Sequence, residues 1–189
     1  MTTFELGIQG CWVFQPNVHS DARGAFYEWF QDSTFGLQTG DKFEIAQANV
    51  SNSKKGVLRG IHFAKYPPGQ AKYVTCVSGS VLDVVVDLRP DSETFGKWDS
   101  VILDANEPKA VFIPTGVGHA FMALEDNSIF VYLCDQRYNP NNEYEINPMD
   151  STINITWPNG ITPVLSEKDK AAPSLAEVFD YLPINSKNA

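Results

Sequence analysis

Short runs of β-branched and aromatic residues, each closed by Gly, Pro, Asn or Asp, recur along the chain. Cys11–Phe14, Phe43–Val50, Tyr73–Val77, Val81–Leu88, Val111–Pro114 and Ile129–Leu133 are such runs. Short strands at this spacing, punctuated by turn residues, indicate an antiparallel all-β sandwich or barrel. No Gly-rich fingerprint opens a helix and no long helices alternate with the strands, which disfavours a Rossmann or P-loop fold. A chain of 189 residues, 43% hydrophobic, can bury a core as a single domain spanning residues 1–189. Ser174 and Glu177 have capping-box spacing, and Leu175, Val178, Phe179 and Leu182 follow at helical spacing before Pro183. That predicts a short amphipathic helix packed on the barrel, a structural tail from about residue 174.

The net charge of −9 argues against a broad nucleic-acid surface, although a local Arg/Lys cluster can still hold a small anion. No apolar run approaches membrane-spanning length, and the first residues, MTTFELGIQG, lack the pattern of a signal peptide. Cys11, Cys76 and Cys134 are odd in number and form no CxxC pair. They read as small buried hydrophobes in a reducing, cytoplasmic compartment rather than as disulfide or zinc ligands.

The stretch from Gln47 to Val77 breaks the apolar pattern. It places Gln47, Asn49, Asn52, Arg59, His62 and Lys72 on adjoining strands. Buried polar groups are costly without partners, so such a segment is a surface or the lining of a pocket. Gln47, Asn49 and Ser51 share parity and can face one ligand. Arg59 and His62 differ in parity. They can share a face only if Gly60, between them, marks a bulge. Asp83 and Asp87 share a parity with Val85, which leaves open a solvent-facing sheet face or a polar pocket wall.

Chemistry follows from the donor set. His119 closes Pro114-Thr-Gly-Val-Gly-His119, a PxGxxH spacing familiar from cupin barrels. A metal-binding cupin would add an HxH pair and a carboxylate, whereas Arg59-Gly60-Ile61-His62 offers one histidine, so no metal is expected. A metal-free set of His, Lys, Tyr and Arg suits proton abstraction beside a carbonyl. Histidine titrates near neutrality and can act as base once a carboxylate orients it, and a fixed cation such as Lys72 can stabilise the enolate. A tyrosine on the opposite wall could return the proton. Periodicity alone makes Tyr132 a core aromatic with its hydroxyl at the rim.

Taken together, Asp21–Glu28 (DARGAFYE), Gln47–Asn49, Leu58–His62 (LRGIH), Asp87–Arg89 with Thr94–Gly96, and Ile113–Gly116 with His119 resemble the dTDP-4-dehydrorhamnose 3,5-epimerase family. The resemblance runs in order from about Phe14 to Asp169. It implies a cupin-type antiparallel jelly-roll barrel with short flanking helices, a homodimer, no cofactor or metal, and a dTDP-4-keto-6-deoxyhexose substrate. By position it implies His62 as base, Asp169 as its carboxylate partner, Tyr132 as proton donor and Lys72 as enolate stabiliser. It also implies substrate contacts from Arg23, Glu28, Gln47, Asn49, Arg59, His119, Glu143 and Lys168, with Phe26 and Tyr138 against the thymine. Two positions depart from the rhamnose-type pattern. Ala64 stands where a Gln is common, and Ala120 stands where a Gly follows the second histidine. Together with Pro67–Val74 and Phe121–Asp126 they are similar to relatives acting on antibiotic-type deoxysugars, some of which invert one centre. A 3,4-ketoisomerase on the same barrel, a non-catalytic sugar-nucleotide-binding module and a metal-dependent cupin remain the alternatives.

Overall fold

The computed structural model describes residues 1–179. Its strands are β1 (Thr2–Glu5), β2 (Trp12–Gln15), β3 (His19–Asp21), β4 (Gly24–Phe26), β5 (Gln47–Ser53), β6 (Leu58–Ala64), β7 (Lys72–Ser78), β8 (Ser80–Asp87), β9 (Trp98–Asp104), β10 (Ala110–Ile113), β11 (Val117–Ala123), β12 (Ser128–Cys134) and β13 (Glu143–Glu145). The helices are α1 (Asp32–Thr39), α2 (Glu167–Lys170) and α3 (Leu175–Phe179). The strands form a six-stranded sheet, β1-β2-β10-β7-β12-β5, a five-stranded sheet, β13-β6-β11-β8-β9, and the separate β3–β4 hairpin. All of these strand pairings are antiparallel. This is the antiparallel all-β architecture expected from the strand spacing, and the small-helix jelly roll that the family resemblance implies.

The core has three parts, and their positions follow from strand parity. Between the sheets lie Val74, Cys76, Val81, Val85, Phe121 and Phe130. The outer face of the five-stranded sheet, through Ile61, Phe63, Val84 and Val86, is covered by Ile146, Ile153, Leu175 and Val178. The outer face of the six-stranded sheet, through Tyr73 and Phe112, is covered by Phe35 of α1 and by Phe43. Strands β7 and β8 are therefore buried on both faces, which explains why YVTCV and VLDVVVDL read as nearly continuous apolar runs.

Several local expectations need adjustment. The run beginning at Phe43 becomes strand only at Gln47; Phe43 instead packs as a loop aromatic in the outer core. Ser174 and Glu177 do form the reciprocal box, with the Ser174 N–H donating to Glu177 Oε2 at 2.7 Å and the Glu177 N–H to Ser174 Oγ at 3.3 Å. Leu182 and Pro183 lie outside the described residues. Asp83 and Asp87 face neither solvent nor an open pocket wall: both are buried, one on His119 and the other on Arg89, Ser92 and Thr94. Their hydrogen-bond partners are what make interior positions tolerable. Cys11, Cys76 and Cys134 are free and buried, and no helix among the described residues is long and apolar enough to cross a membrane.

Candidate active site

The parity conflict between Arg59 and His62 is resolved by a bulge at Gly60. His119 of β11 pairs with His62, and Phe121 pairs with Arg59. One residue of β11, Ala120, therefore opposes two of β6, Gly60 and Ile61. Since His119 and Phe121 are two apart they share a face, and so do their partners. Gly60 has φ +111°, and a Cβ there would lie 2.5 Å from the His119 carbonyl oxygen and 2.7 Å from Ala120 Cα. Only glycine fits the turn that points both side chains inward.

Inside the barrel a cavity of about 460 Å³ opens where the interior face changes from apolar to polar. Along β7 the inward series Cys76, Val74, Lys72 ends in a cation, and along β12 Phe130 is followed by Tyr132 and Cys134. Strand β5 contributes Gln47 and Asn49, β6 contributes Arg59 and His62, and β13 contributes Glu143. Tyr138, from the loop before β13, and Ser166, Lys168 and Asp169, at α2, close the wall. Residues more than one hundred positions apart thus meet at one cavity.

His62 Nε2 lies 2.8 Å from Asp169 Oδ1. Burial pushes the Asp169 carboxyl up, but hydrogen bonds from His62 and Ser166 outweigh it and hold it below the ordinary carboxylate range. An ionised Asp169 is an acceptor only, so Nε2 carries the hydrogen and Nδ1 is left as the basic nitrogen. Lys72 is only 9% exposed and forms no ion pair with any described residue. Burial drives its ammonium below the usual lysine range, against the opposing pull of Cys134, Glu143 and Asp83. Burial also pushes the Tyr132 phenol up, so it holds its proton at neutral pH. The Cys134 thiol, buried beside Lys72, is pushed up to about 11 and is no nucleophile there. At the cavity edge Gln47 acts as a strut: its Nε2 donates to Asn49 Oδ1 at 2.9 Å, and its Oε1 accepts the Tyr138 N–H at 2.8 Å. Lys168 is paired with Glu145 at 3.0 Å.

A histidine with its carboxylate, a proton-bearing phenol and a buried lysine around one cavity form a set suited to enolate chemistry. A family model described as dTDP-4-dehydrorhamnose 3,5-epimerase matches residues 5–177. The chain belongs to that family. It is 49% identical over 180 residues to a dTDP-4-dehydrorhamnose 3,5-epimerase of Mycobacterium tuberculosis, covering 94% of this chain and 89% of the relative. It is 48% identical over 171 residues to a dTDP-4-dehydro-6-deoxyglucose 3-epimerase of Streptomyces bikiniensis, covering 90% and 87%. Among solved structures, a 3'-monoepimerase of Streptomyces bikiniensis in complex with dTDP-quinovose is 46% identical, with a TM-score of 0.90 and coverage of 94% and 89%.

Four residues expected at the family's substrate site are not at this cavity. His119 is buried instead, with Nε2 2.6 Å from Asp83 Oδ1 and its ring stacked 5.8 Å from Phe130. Its carboxylate partner on β8 holds it inside the barrel. Arg23 and Phe26 lie on the β3–β4 hairpin, where Arg23 clamps Asp21 at 2.6 Å and Phe26 is 66% exposed. Glu28 lines a separate small hollow with Asn17, His19 and Thr34. The cavity also contains Gln70, Cys134, Tyr144 and Ser166, which sequence reasoning did not single out. For Ser166 a signal existed, since it stands three residues before Asp169 in N-cap spacing.

Proposed function

We propose that this epimerase acts on a dTDP-4-keto-6-deoxyhexose, inverting C3, C5 or both, in deoxysugar biosynthesis. The C4 ketone acidifies the neighbouring C–H bonds. His62 Nδ1 takes one of these protons, and the electron pair passes into the enolate, whose oxygen is stabilised by the Lys72 ammonium. Tyr132, or water at one centre, gives a proton to the opposite face of the same carbon. The phenolate then recovers a proton from solvent and His62 loses its own. Arg59 and Lys168 supply positive charge for the diphosphate, with Gln47, Asn49, Tyr138 and Glu143 as polar and aromatic contacts. The observation that carries this reading is the juxtaposition of His62–Asp169, Lys72 and Tyr132 around one cavity. The proposed steps use no metal or cofactor, because base, enolate stabiliser and proton donor are all side chains of the one cavity.

The 3,5-epimerase and the 3-epimerase relatives are almost equally similar, so the number of centres has to be measured. Proton NMR in deuterium oxide reads it directly. Deuterium entering C3 alone identifies a mono-epimerase, and entry at C3 and C5 a double one. Migration of the carbonyl would mean a ketoisomerase, and binding without exchange a non-catalytic module. Tyr132→Phe is expected to block inversion more than deuterium wash-in. Unchanged rates for both would remove Tyr132 from the donor role.

We further propose a cytoplasmic homodimer in which Arg23, Phe26 and Glu28 of one protomer serve the partner's cavity, the chain acting as one epimerase domain. Support comes from their absence from the lining of their own cavity, from the open edge of β5 and from Val50 on its outer face, 70% exposed. A monomeric mass in solution together with full activity would sink this reading.

A further inference from the structure

We infer that Ser166 is a positioning residue for the base: its hydroxyl locks the Asp169 carboxylate so that the other carboxylate oxygen meets His62. The inference rests on the reading of His62 as the base. It goes beyond that reading by naming what aims the base's partner.

The geometry is a closed loop of three contacts. Ser166 is the N-cap of α2, and its Oγ accepts the Asp169 backbone N–H at 3.0 Å. The same hydroxyl is 2.9 Å from Asp169 Oδ2. With one lone pair committed to the backbone, its single hydrogen goes to the carboxylate. Asp169 Oδ1 is then left for His62 Nε2 at 2.8 Å. Both carboxylate oxygens are held, so the group cannot rotate about its Cβ–Cγ bond without breaking one bond or the other. Asp169 is buried while Ser166 is exposed at the cavity mouth, where a bound ligand would exclude water and strengthen the bond.

Capping alone does not explain the arrangement. A four-residue helix needs an acceptor at its N-cap, which Ser, Thr, Asn, Asp or Gly can satisfy in different ways. Of these caps, only a hydroxyl accepts from the backbone and donates to a carboxylate through one and the same atom. The two roles therefore separate by substitution. Glycine is tolerated at an N-cap with little loss of stability, but it donates nothing from a side chain. Threonine keeps both functions.

The test compares Ser166→Gly, Ser166→Thr and His62→Ala with the wild type, using the full chain and dTDP-4-keto-6-deoxyglucose. Ser166→Gly is expected to lower kcat by about 10- to 100-fold, the scale of one hydrogen bond to a charged group, with KM and Tm unchanged. Ser166→Thr should stay near wild type. In nitrogen-15 NMR the His62 Nε2–H resonance should shift or broaden in Ser166→Gly but not in Ser166→Thr. Wild-type kcat in Ser166→Gly beside an inactive His62→Ala would overturn the role of Ser166 and leave the base assignment standing. A rise in KM at constant kcat would also overturn it, by making Ser166 a direct substrate contact. Equal loss in Ser166→Thr and Ser166→Gly, accompanied by a fall in Tm, would reduce Ser166 to a helix cap. Turnover surviving in His62→Ala would defeat the underlying reading itself.

Discussion

The barrel contains two histidine–aspartate pairs that are near-copies in chemistry and opposite in situation. His62 and His119 are direct cross-strand partners on β6 and β11, and each has its Nε2 within 2.8 Å of an aspartate oxygen. The His62 side chain is 38% exposed and lines the cavity; that of His119 is 9% exposed and stacks on Phe130. Asp169 arrives from a short helix 107 positions away, whereas Asp83 sits on β8, the strand next to β11. The difference is one of access: the two pairs share the same hydrogen bond, but only the His62 ring lines the cavity. Among the described residues Asp83 Oδ2 is buried without a partner, so the inner pair depends on His119 for its one compensating bond.

That contrast can be broken most severely at the outer pair. His62→Ala should lower turnover by about 10³-fold, the middle of the range for general-base catalysis, with little change in urea stability. Site-resolved deuterium exchange and a denaturation curve on the same sample check both halves. The inner pair should behave the other way. His119→Phe leaves the buried Asp83 carboxyl without its hydrogen-bond partner and should cost about 3 kcal/mol of stability in urea unfolding. Turnover per folded molecule should stay much closer to wild type than in His62→Ala. Adding Asp83→Leu to His119→Phe should recover much of the loss, because an apolar pair then replaces a broken hydrogen-bonded one. A His119→Phe protein as stable as wild type but inactive would move His119 into the chemistry and abolish the contrast.

A third buried carboxylate sharpens the comparison at a smaller scale. Asp87 shares the inward face of β8 with Asp83 but is fully satisfied, by Arg89, Ser92, Thr94 and a backbone N–H. Burial raises its pKa, and these donors outweigh burial to leave it at about 2. The folded value lies below the unfolded one. Its contribution, on the order of 2 kcal/mol, is therefore present above the unfolded pKa and lost as pH falls through about 4 towards 2. Arg89→Met should flatten the loss in that window, as read from urea midpoints at a series of pH values.

Much of this was legible before any coordinates. The strand spacing specified an antiparallel all-β fold, because alternation and turn residues are local properties of a chain. The polar stretch from Gln47 to Lys72 was readable as a surface or a pocket lining; Gln47, Asn49, Arg59, His62 and Lys72 line the cavity, whereas Asn52 is exposed and does not. The conflict between Arg59 and His62 even demanded the Gly60 bulge. Charge and cysteine count excluded whole classes of function, and the ordered motifs resembled one family.

Proximity was decided elsewhere. Sequence separation carries no information about the meeting of Asp169 with His62, or about which carboxylate each histidine receives. Both depend on sheet order and on where a four-residue helix lands. The same holds for His119, whose motif resembled that of a pocket residue and whose burial was settled by Asp83 on the neighbouring strand. Likewise Arg23, Phe26 and Glu28 sit on or just beyond a hairpin whose direction no local pattern specifies. Residue type and parity, set by the sequence, determined which side chains could face inward; only barrel closure decided which of them share one space.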